Sequence, residues 1–511
     1  MNIIIRSDAS IHIGSGHIMR CLVLAEKLKA LGHYVSFASR PQHGDLINFI
    51  QDKGFKVYQL IAPTQWKKTE GSDDYAAWLQ VSWQEDAQSF IQNIANVDLI
   101  IVDHYGINAE WELAVKNHFS CRIFAIDDLV RQHQAELILD QTLQRAPEEY
   151  NISNPDSLIL TGCDFALLNP SFATYRAHAL EKKTRLSQQI NVLISMGGID
   201  QPNATLKVLE VLSTMDKKPH TSVLLSPRAP HYQSVKQFCA RHQDWLIHID
   251  FVDDMAKLMT NFDIAIGAPG TTSWERACLG IPSIIIPLAD NQKTISEQLT
   301  RVGAAIKIEI NEIESALLAC YQKVIDHKES MRLNNLCICD GLGLQRTVQC
   351  IQYLADNEAT PITLKPATQL DIEQVYQWQV LPQTRQYALT PAIPTWLEHQ
   401  TWMKEKLADK AHYFYIIESL LDNKKIGVLR LDKVEIAVYN LSIFITPSEF
   451  KKGFAKKALK YIDVLHPEMS IQATVLEENK ASQALFKSTR YTRTSTNLFT
   501  RAPINSSKAI S

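Results

Sequence analysis

The chain has 511 residues, which is too long for one ordinary hydrophobic core and predicts two or three domains. Its 52 basic and 55 acidic side chains give a formal net charge of -3, a balance that argues against nucleic acid or an acidic membrane as a general partner. No apolar run approaches the roughly 20 residues that a membrane helix needs, and the first ten residues do not resemble a signal peptide. We therefore expect a soluble, cytoplasmic protein.

The cysteines give no sign of a disulfide framework or a metal site. There are nine, an odd number, and they are scattered through a large chain, which fits reduced thiols. The closest pair, Cys337 and Cys339, has no matching His/Cys cluster nearby in the sequence. We therefore expect no metal site.

The chain opens with the pattern of a βαβ unit. An apolar run at 2–5 predicts a strand, and a glycine-containing loop follows it. From His17 the apolar residues recur at helical spacing, with Gly32 as a stop signal, and 34–39 returns to a strand pattern.

The alternation of strands and helices continues and then restarts. Buried-strand patterns each end in a carboxylate at 99–103 and 123–127, and the polar stretch 180–189 has the composition of a linker. Further strands are predicted at 191–198, 221–226, 264–268 and 283–288. The pattern predicts two doubly wound Rossmann-like α/β domains, at 1–185 and 186–355, with a ligand cleft between the carboxyl ends of their parallel sheets.

A third domain of different character is predicted at 356–511. It begins with a connection that carries Pro and Thr and continues with helical patterns and closely spaced strands. The predicted strands are at 413–419, 425–431, 435–440 and 441–446. Strands that follow one another so closely favour a mixed, antiparallel-rich α+β fold.

The first glycine turn is the earliest candidate site. Gly14 and Gly16 permit close approach of a ligand, and the following helix offers free N–H groups at its positive end. His17 lies at that end, where the helix dipole disfavours an imidazolium, so we expect a neutral ring able to act as a base. A capping turn with an incidental histidine is the alternative. The dinucleotide fingerprint fails at Met19, which argues against NAD.

Three further segments lie where strands end. Tyr105, in the stretch 103–106, is placed to stack on or hydrogen-bond a sugar, although a solvated turn would look the same. Gly197 and Gly198 precede a helix and suit a phosphate, or only a tight turn. In 267–275, the small residues with Thr271, Thr272 and Ser273 can hold a diphosphate. Glu275 can accept hydrogen bonds from ribose hydroxyls, or simply serve the helix dipole.

These motifs together resemble a known family. The segments RSDAS, IGSGHIMR, DHYGI, IDDL, MGGID, the G-x-x-x-T-x-W-E loop, NQ and DGLGLQR occur in the order found in the nucleotide-sugar hydrolases of pseudaminic acid biosynthesis (the PseG family), related in fold to MurG-like GT-B glycosyltransferases. The resemblance spans nearly all of residues 1–350. It implies hydrolysis of UDP-2,4-diacetamido-2,4,6-trideoxy-β-L-altropyranose to the free sugar and UDP, for bacterial surface polysaccharide.

The resemblance also assigns roles to residues. His17 matches the general base that activates water at C1, and no metal or other cofactor is implied. The substrate and UDP contacts would be Gly14, Gly16, Arg20, Tyr105, Gly197, Gly198, Thr271, Thr272, Glu275, Asn291 and Gln292. Asn169 stands where the family is expected to carry an arginine. A true GT-B glycosyltransferase, which needs a second sugar or lipid acceptor, is the alternative.

Residues 361–500 resemble a GNAT acetyltransferase. Gly453 and Ala455 match the loop that holds the coenzyme A pyrophosphate, and Asn479 matches a cofactor contact. The resemblance implies acetyl-CoA as co-substrate and N-acetylation of the 4-amino precursor of the hydrolase substrate, as in the PseH enzymes. Phe450, Phe486 and Arg490 depart from the usual residues, and Phe486 has no proton for the leaving thiolate. A non-catalytic acyl-CoA-binding or interaction module is therefore the alternative.

Overall fold

The protein is described by a computed structural model, which covers residues 1–68, 74–181, 189–356, 362–409, 411–420 and 422–504. The chain forms two compact units, Met1–Ile351 and Gln352–Ser511. The boundary expected between residues 185 and 186, and most of the linker expected at 180–189, lie outside the described residues.

The first unit opens with a sheet of seven strands. Their order is β3-β2-β1-β4-β5-β6-β7, and all neighbours are parallel. The strands are β1 (Asn2–Ser7), β2 (Tyr34–Ser39), β3 (Lys56–Gln59), β4 (Leu99–Asp103), β5 (Arg122–Ile126), β6 (Leu137–Asp140) and β7 (Leu158–Thr161). The helices are α1 (Gly16–Ala30), α2 (Ile47–Asp52), α3 (Tyr75–Trp78), α4 (Trp83–Asn93), α5 (Ala109–Phe119), α6 (Glu148–Asn151) and α7 (Pro170–Glu181).

A second parallel sheet repeats this logic, with the order β10-β9-β8-β11-β12-β13. Its strands are β8 (Asn191–Ser195), β9 (His220–Leu224), β10 (Leu246–Ile249), β11 (Ile264–Gly267), β12 (Ser283–Ile285) and β13 (Ala305–Lys307). Its helices are α8 (Ala204–Ser213), α9 (Tyr232–Arg241), α10 (Met255–Met259), α11 (Thr271–Cys278), α12 (Lys293–Arg301), α13 (Ile313–Asp326), α14 (Lys328–Leu336) and α15 (Gly343–Asp356). The predicted pair of doubly wound Rossmann-like domains is confirmed.

Local sequence explains why these strands lie inside. Strand β4 reads Leu-Ile-Ile-Val-Asp and is buried along its whole length, because helices cover both faces of a doubly wound sheet and leave no side for polar residues. Helix α4 begins with a capping box between Ser82 and Glu85, which satisfies two backbone donors at its start. A polar residue that is buried at the end of such a strand is unusual, and it is a candidate for a functional role.

Two segments connect the halves of the first unit. Phe172 on α7 packs into the core of the second sheet, together with Trp274 on α11. The chain then returns through α15, whose Gly343 lies so close to Ala166 that an added Cβ would meet its backbone at 2.3 Å. Arg346 fixes this return by donating to the carbonyl of Asp164 at 2.8 Å.

The second unit contains a seven-stranded mixed sheet, with the order β14-β15-β16-β17-β18-β20-β19. Its strands are β14 (Ile362–Pro366), β15 (Tyr413–Ser419), β16 (Lys425–Glu435), β17 (Val438–Ile445), β18 (Ser470–Thr474), β19 (Thr492–Arg493) and β20 (Leu498–Arg501). Its helices are α16 (Ile372–Gln379), α17 (Pro382–Arg385), α18 (Trp396–Ala408), α19 (Phe454–Leu465) and α20 (Lys480–Lys487). The neighbours are antiparallel except for β17 and β18, which confirms the predicted α+β class.

One strand prediction in this unit is wrong. The sequence was divided into strands at 435–440 and 441–446, but β17 runs unbroken through residue 440 and the hairpin turn lies earlier. Ala437 has a φ of 59°, and this left-handed residue together with Ile436 makes the turn from β16 into β17.

In the part of the chain that the structure describes, no helix is long and apolar enough to cross a membrane.

Candidate active site

The first sheet reverses its strand order between β1 and β4, and a doubly wound fold binds its ligands at such a point. The loop after β1 contains Gly14 at a φ of 80°, a conformation that glycine adopts without strain. Helix α1 then begins at Gly16, which places His17 in its first turn. Strand β4 ends on Asp103 at the same edge of the sheet. A histidine and a carboxylate that are far apart in sequence thus meet at the cleft.

His17 and Asp103 form a close pair, with Nδ1 of the imidazole 2.5 Å from Oδ1 of the carboxylate. Burial acts to raise the pKa of Asp103, but the charges of Arg20 and His17 hold it far below its usual range. Asp103 is therefore an ionised acceptor, and the proton of a neutral His17 ring resides on Nδ1. Nε2 is then the basic nitrogen, on a side chain that remains 9% exposed.

Arg20 was expected to contact the substrate or UDP, but the structure places it against carboxylates. Two of its nitrogens donate to the two oxygens of Asp103, each at 2.7 Å. A third donates to Asp128 at 2.9 Å. This fork–fork geometry is among the strongest that side chains form. We therefore assign Arg20 the role of positioning Asp103.

Tyr105 forms one wall beside the histidine. Its ring meets His17 edge to face at 4.7 Å between centroids, and its hydroxyl donates to Asp128 at 2.5 Å. Trp78 stacks on Tyr105 at 5.6 Å, and Tyr75 meets both rings edge to face. Burial and the charge of Asp128 keep the pKa of the Tyr105 hydroxyl well above its usual value. His17 thus lies against two rings, Tyr105 and Trp78, of a three-ring aromatic cluster.

The two glycine turns of the first unit face each other. A Cβ added at Gly198 would lie 2.8 Å from Oγ of Ser15, so the turn after β8 touches the turn that precedes α1. Gly197 beside it has a φ of 86°. A cavity of about 250 Å³ opens between residues of the two halves of this unit. It is lined by Tyr75, Asp128, Leu129, Thr142, Arg145, Asp290, Asn291, Thr294 and Ile295.

The loop between β11 and α11 carries the predicted diphosphate residues. An added Cβ at Gly267 would lie 2.2 Å from the carbonyl oxygen of Ser195, so only glycine fits there. Thr271 and Thr272 are the first two residues of α11 and are partly exposed. Ser273 closes the turn by accepting from the Gly270 N–H at 3.3 Å. The helix therefore presents its first N–H groups and two hydroxyls at the cleft.

Glu275 lies one turn further along α11. Its Oε2 is enclosed and has no hydrogen-bond partner among the described residues. Burial raises the pKa of Glu275 to about 7, although the charge of Arg276 opposes the shift. An enclosed carboxylate oxygen without a donor is costly in a folded protein. A ligand hydroxyl would supply the missing donor.

The last two predicted UDP contacts lie before α12. Asn291 lines the cavity between the sheets. Gln292 is used differently, because its side-chain oxygen accepts from the Leu288 N–H at 2.8 Å. Gln292 therefore shapes the loop that presents Asn291.

The second unit has an opening in its sheet. Strands β17 and β18 are paired only between 438–440 and 470–472, and they separate beyond those residues. Lys451, with a φ of 63°, and Gly453, with a φ of 82°, bend the loop that leads into α19. Ala455 lies in the first turn of that helix. The opening and the loop are shaped for an extended ligand with a phosphate group.

Three residues of this unit, Phe450, Phe486 and Arg490, differ from those usual in GNAT sequences. Phe486 is buried between Tyr491 and Phe499, with ring centroids at 5.0 and 5.6 Å. Phe450 and Arg490 are exposed. The side-chain oxygen of Asn479 caps α20 by accepting from the Ser482 N–H at 3.0 Å.

Two segments of the chain match models of known protein families. Residues 172–336 match the glycosyltransferase family 28 C-terminal domain, and residues 362–492 match the acetyltransferase (GNAT) domain. The chain thus carries one segment similar to the family 28 C-terminal domain and one segment similar to a GNAT domain. The family 28 match contains Gly197, Gly198 and the loop before α11, and the GNAT match contains the opening between β17 and β18.

Several relatives match the chain at low identity. An uncharacterized protein of Methanocaldococcus jannaschii is 22% identical over 513 residues, which cover 97% of each chain. The UDP-2,4-diacetamido-2,4,6-trideoxy-beta-L-altropyranose hydrolase of Campylobacter jejuni is 26% identical over 308 residues, which cover 60% of this chain and 99% of the relative. The solved structure of MurG from Acinetobacter baumannii covers 69% of this chain and 99% of its own, with 16% identity and a TM-score of 0.47.

Sequence reasoning missed part of the site beside the family 28 domain. Tyr75 and Trp78 lie on the short helix α3, just after residues 69–73, which the structure does not describe. The only sequence signal for their place in the site is the occurrence of two aromatic residues in one short segment. Asp103 and Asp128 lie in the motifs DHYGI and IDDL, but the sequence does not show which side chains they contact. Within the described residues, no group of three or more His, Cys, Asp or Glu side chains could hold a metal ion.

Proposed function

We propose that the first unit hydrolyses UDP-2,4-diacetamido-2,4,6-trideoxy-β-L-altropyranose to the free sugar and UDP. The His17–Asp103 pair, at the cleft that faces the family 28 domain, carries this proposal. A relative named for that hydrolysis aligns over 99% of its own length. A base beside a cleft and a diphosphate-shaped loop across from it are what hydrolysis of a nucleotide sugar requires.

In the proposed mechanism, His17 Nε2 takes a proton from water as the water oxygen attacks C1 of the sugar. The bond from C1 to the diphosphate oxygen breaks, configuration at C1 inverts, and UDP leaves with the bonding electrons. Asp103 holds the imidazole and stabilises the imidazolium that forms. With Arg20 and Asp128 counted, the charge of this cluster changes from -1 to zero as His17 gains the proton, so the reaction removes an unbalanced buried charge.

The nucleotide half of the substrate would lie on the family 28 domain. The start of α11, with Thr271 and Thr272, would receive the diphosphate, where free N–H groups stabilise the charge of the leaving group. Glu275 would accept from the ribose hydroxyls through its unpartnered Oε2. The sugar would extend from there into the cavity lined by Asp128 and Asn291.

For the second unit we propose N-acetylation of the 4-amino precursor by acetyl-CoA. The GNAT match, the opening between β17 and β18, and the loop with Gly453 support it. Phe486 supplies no proton to the thiolate of coenzyme A. In this proposal water protonates the thiolate, and the step is slower than with a protein acid by roughly 10²–10⁴-fold.

A test of the hydrolase uses His17→Gln in the full chain. Release of UDP from the diacetamido sugar nucleotide, without any acceptor, should fall by roughly 10²–10⁴-fold in kcat while UDP binding is unchanged. His12→Gln, at an exposed position in the same loop, is the matched control and should keep wild-type activity. Undiminished turnover in His17→Gln would exclude His17 as the base. Dependence of wild-type UDP release on a second sugar or lipid would favour a glycosyltransferase.

A further inference from the structure

Asp128 lies in the cavity wall and has one carboxylate oxygen without a hydrogen-bond partner among the described residues. It follows strand β5, and its Oδ2 accepts from the Tyr105 hydroxyl at 2.5 Å and from Arg20 at 2.9 Å. Its Oδ1 is enclosed and has no hydrogen-bond partner among the described residues. The side chain is 17% exposed and forms part of the cavity wall. One oxygen is thus bonded to two protein donors, and the other lacks a donor on a side chain that lines the cavity proposed for the sugar.

An enclosed acceptor of this kind is expensive unless a ligand satisfies it. A buried polar atom without a hydrogen-bond partner destabilises the folded protein, and the effect is larger when the group is charged. Neighbouring groups do not relieve it. Arg145 reaches the same cavity, but its Nε donates to Asp140 at 2.6 Å and a terminal nitrogen donates to Glu149 at 2.7 Å.

The charge of Asp128 also acts on its surroundings. Burial and the nearby Asp128 together raise the pKa of Asp140 to about 6, although Arg145 opposes the shift. The negative charge on the cleft side is therefore only partly balanced by the protein. A hydrogen-bond donor on a bound ligand would stabilise the ionised Asp128 carboxylate.

The rest of the cavity wall limits what the donor is. Leu129 and Ile295 give it apolar surface, and Thr142 and Asn291 give it hydrogen-bonding groups. A hydroxyl would use only the Asp128 oxygen. An acylamino group matches more of the wall, because its N–H donates, its carbonyl accepts and its methyl group needs apolar contact.

We infer that Asp128 Oδ1 accepts a hydrogen bond from the N–H of an acylamino substituent on the sugar and so determines specificity for N-acylated sugars. This rests on the proposed function. Through Oδ2 the same residue holds Tyr105 and Arg20, and Arg20 holds Asp103. Recognition of the acylamino group is thereby connected to the support of the base.

The test compares Asp128→Asn with Asp156→Asn in the full chain, both in the His17→Gln background so that the sugar nucleotide is not consumed. Asp156 is exposed and lies outside the cavity wall. Calorimetry measures Kd for UDP and for the diacetamido sugar nucleotide. For Asp128→Asn we expect the sugar nucleotide to bind about tenfold more weakly or worse, with UDP affinity unchanged, since one hydrogen bond to a charged group is lost. Asp156→Asn should leave both constants unchanged.

The outcomes separate the inference from the function on which it rests. Equal weakening of UDP and sugar nucleotide in Asp128→Asn, or no weakening at all, would overturn the inference. If wild-type protein binds UDP but releases none from the sugar nucleotide, the proposed function itself fails. A melting curve without ligand shows whether Asp128→Asn is folded.

A second pair of ligands identifies the donor. UDP-N-acetylglucosamine and UDP-glucose differ by an acetamido group in place of a hydroxyl. Wild-type protein should favour the acetamido form, and Asp128→Asn should lose most of that preference. The same preference in both proteins would overturn the assignment to an acylamino N–H.

Discussion

Glu275 is the residue at which nucleotide binding should depend on pH. Burial raises its pKa to about 7, and its ionised form is the better acceptor for two ribose hydroxyls. A ligand that prefers the ionised carboxylate must displace a proton below that pH. Uridine affinity should therefore be highest above pH 7 and should weaken as pH falls through about 7, with a limiting slope of roughly tenfold per unit.

Uridine is the right probe because it lacks the phosphates of UDP, which titrate in the same range. Glu275→Gln should bind uridine more weakly and lose the pH dependence. Glu297→Gln, on the exposed side of α12, should retain both affinity and profile. A flat profile in wild-type protein between pH 6 and 8 would contradict the ribose assignment.

At this scale the sequence identified residue types better than partners. His17 and Glu275 could be singled out because each stands at the start of a helix after glycines. The pairing of His17 with Asp103 could not, since it depends on β1 and β4 being neighbours in the sheet. Arg20 shows the same limit: a charged residue one turn after the histidine fits a ligand contact or an ion pair equally well until Asp103 and Asp128 are in place.

Among the elements, the loop between β5 and β6 is held by buried charges. His133 Nδ1 lies 2.8 Å from Glu112 on α5, and its Nε2 lies 3.5 Å from Asp127. Burial would lower the pKa of His133, but the bonds to Asp127 and Glu112 raise it to about 9. Asp128, which lines the cleft, lies near the start of this loop. The imidazolium of His133 anchors the loop nearer its other end.

This anchor should make folding sensitive to alkali. The folded-state pKa of His133 is above the unfolded value of 6.5, so its stabilisation is fully present below pH 6.5 and is lost as pH rises through about 9. The shift corresponds to about 3 kcal/mol in the free energy of unfolding. Urea titrations at pH 6 and pH 9.5 would measure the loss.

Two variants control for other titrating groups. His133→Asn should be less stable at pH 6, because two buried carboxylates lose their cation, and should show a smaller decrease toward pH 9.5. His220→Asn, at an exposed position, should follow the wild type. The same alkaline decrease in His133→Asn as in wild type would show that other groups cause it.

The elements that the sequence placed well are those with strong local patterns. Strands β2, β4 and β15 have the predicted bounds, since a run of buried apolar residues marks where each strand begins and ends. The hairpin between β16 and β17 was placed wrongly, because its turn has neither Gly nor Pro. Ala437 adopts a left-handed φ there, which no propensity would suggest.

Across the first unit, the two parallel sheets share the order of six strands, which the first sheet extends by β7, and each reverses at the strands that carry site residues. Sequence periodicity predicted two doubly wound domains, because βαβ units with right-handed crossovers admit few alternatives, but it did not predict the strand order. The distance between the two glycine turns could not be predicted in this way, since it depends on contacts between residues far apart in sequence, such as Gly198 with Ser15.

The whole chain should perform two consecutive reactions. Given the 4-amino precursor and acetyl-CoA, wild-type protein should release UDP and the diacetamido sugar, and mass spectrometry would follow both. His17→Gln should stop after the first step and accumulate the acetylated sugar nucleotide. Gly453→Val should fail at the first step but still hydrolyse the diacetamido substrate, because a β-branched residue cannot adopt a φ of 82° in the loop before α19. Acetyl-CoA that binds without any acetylated product would make the second unit a binding module and leave the hydrolase unaffected.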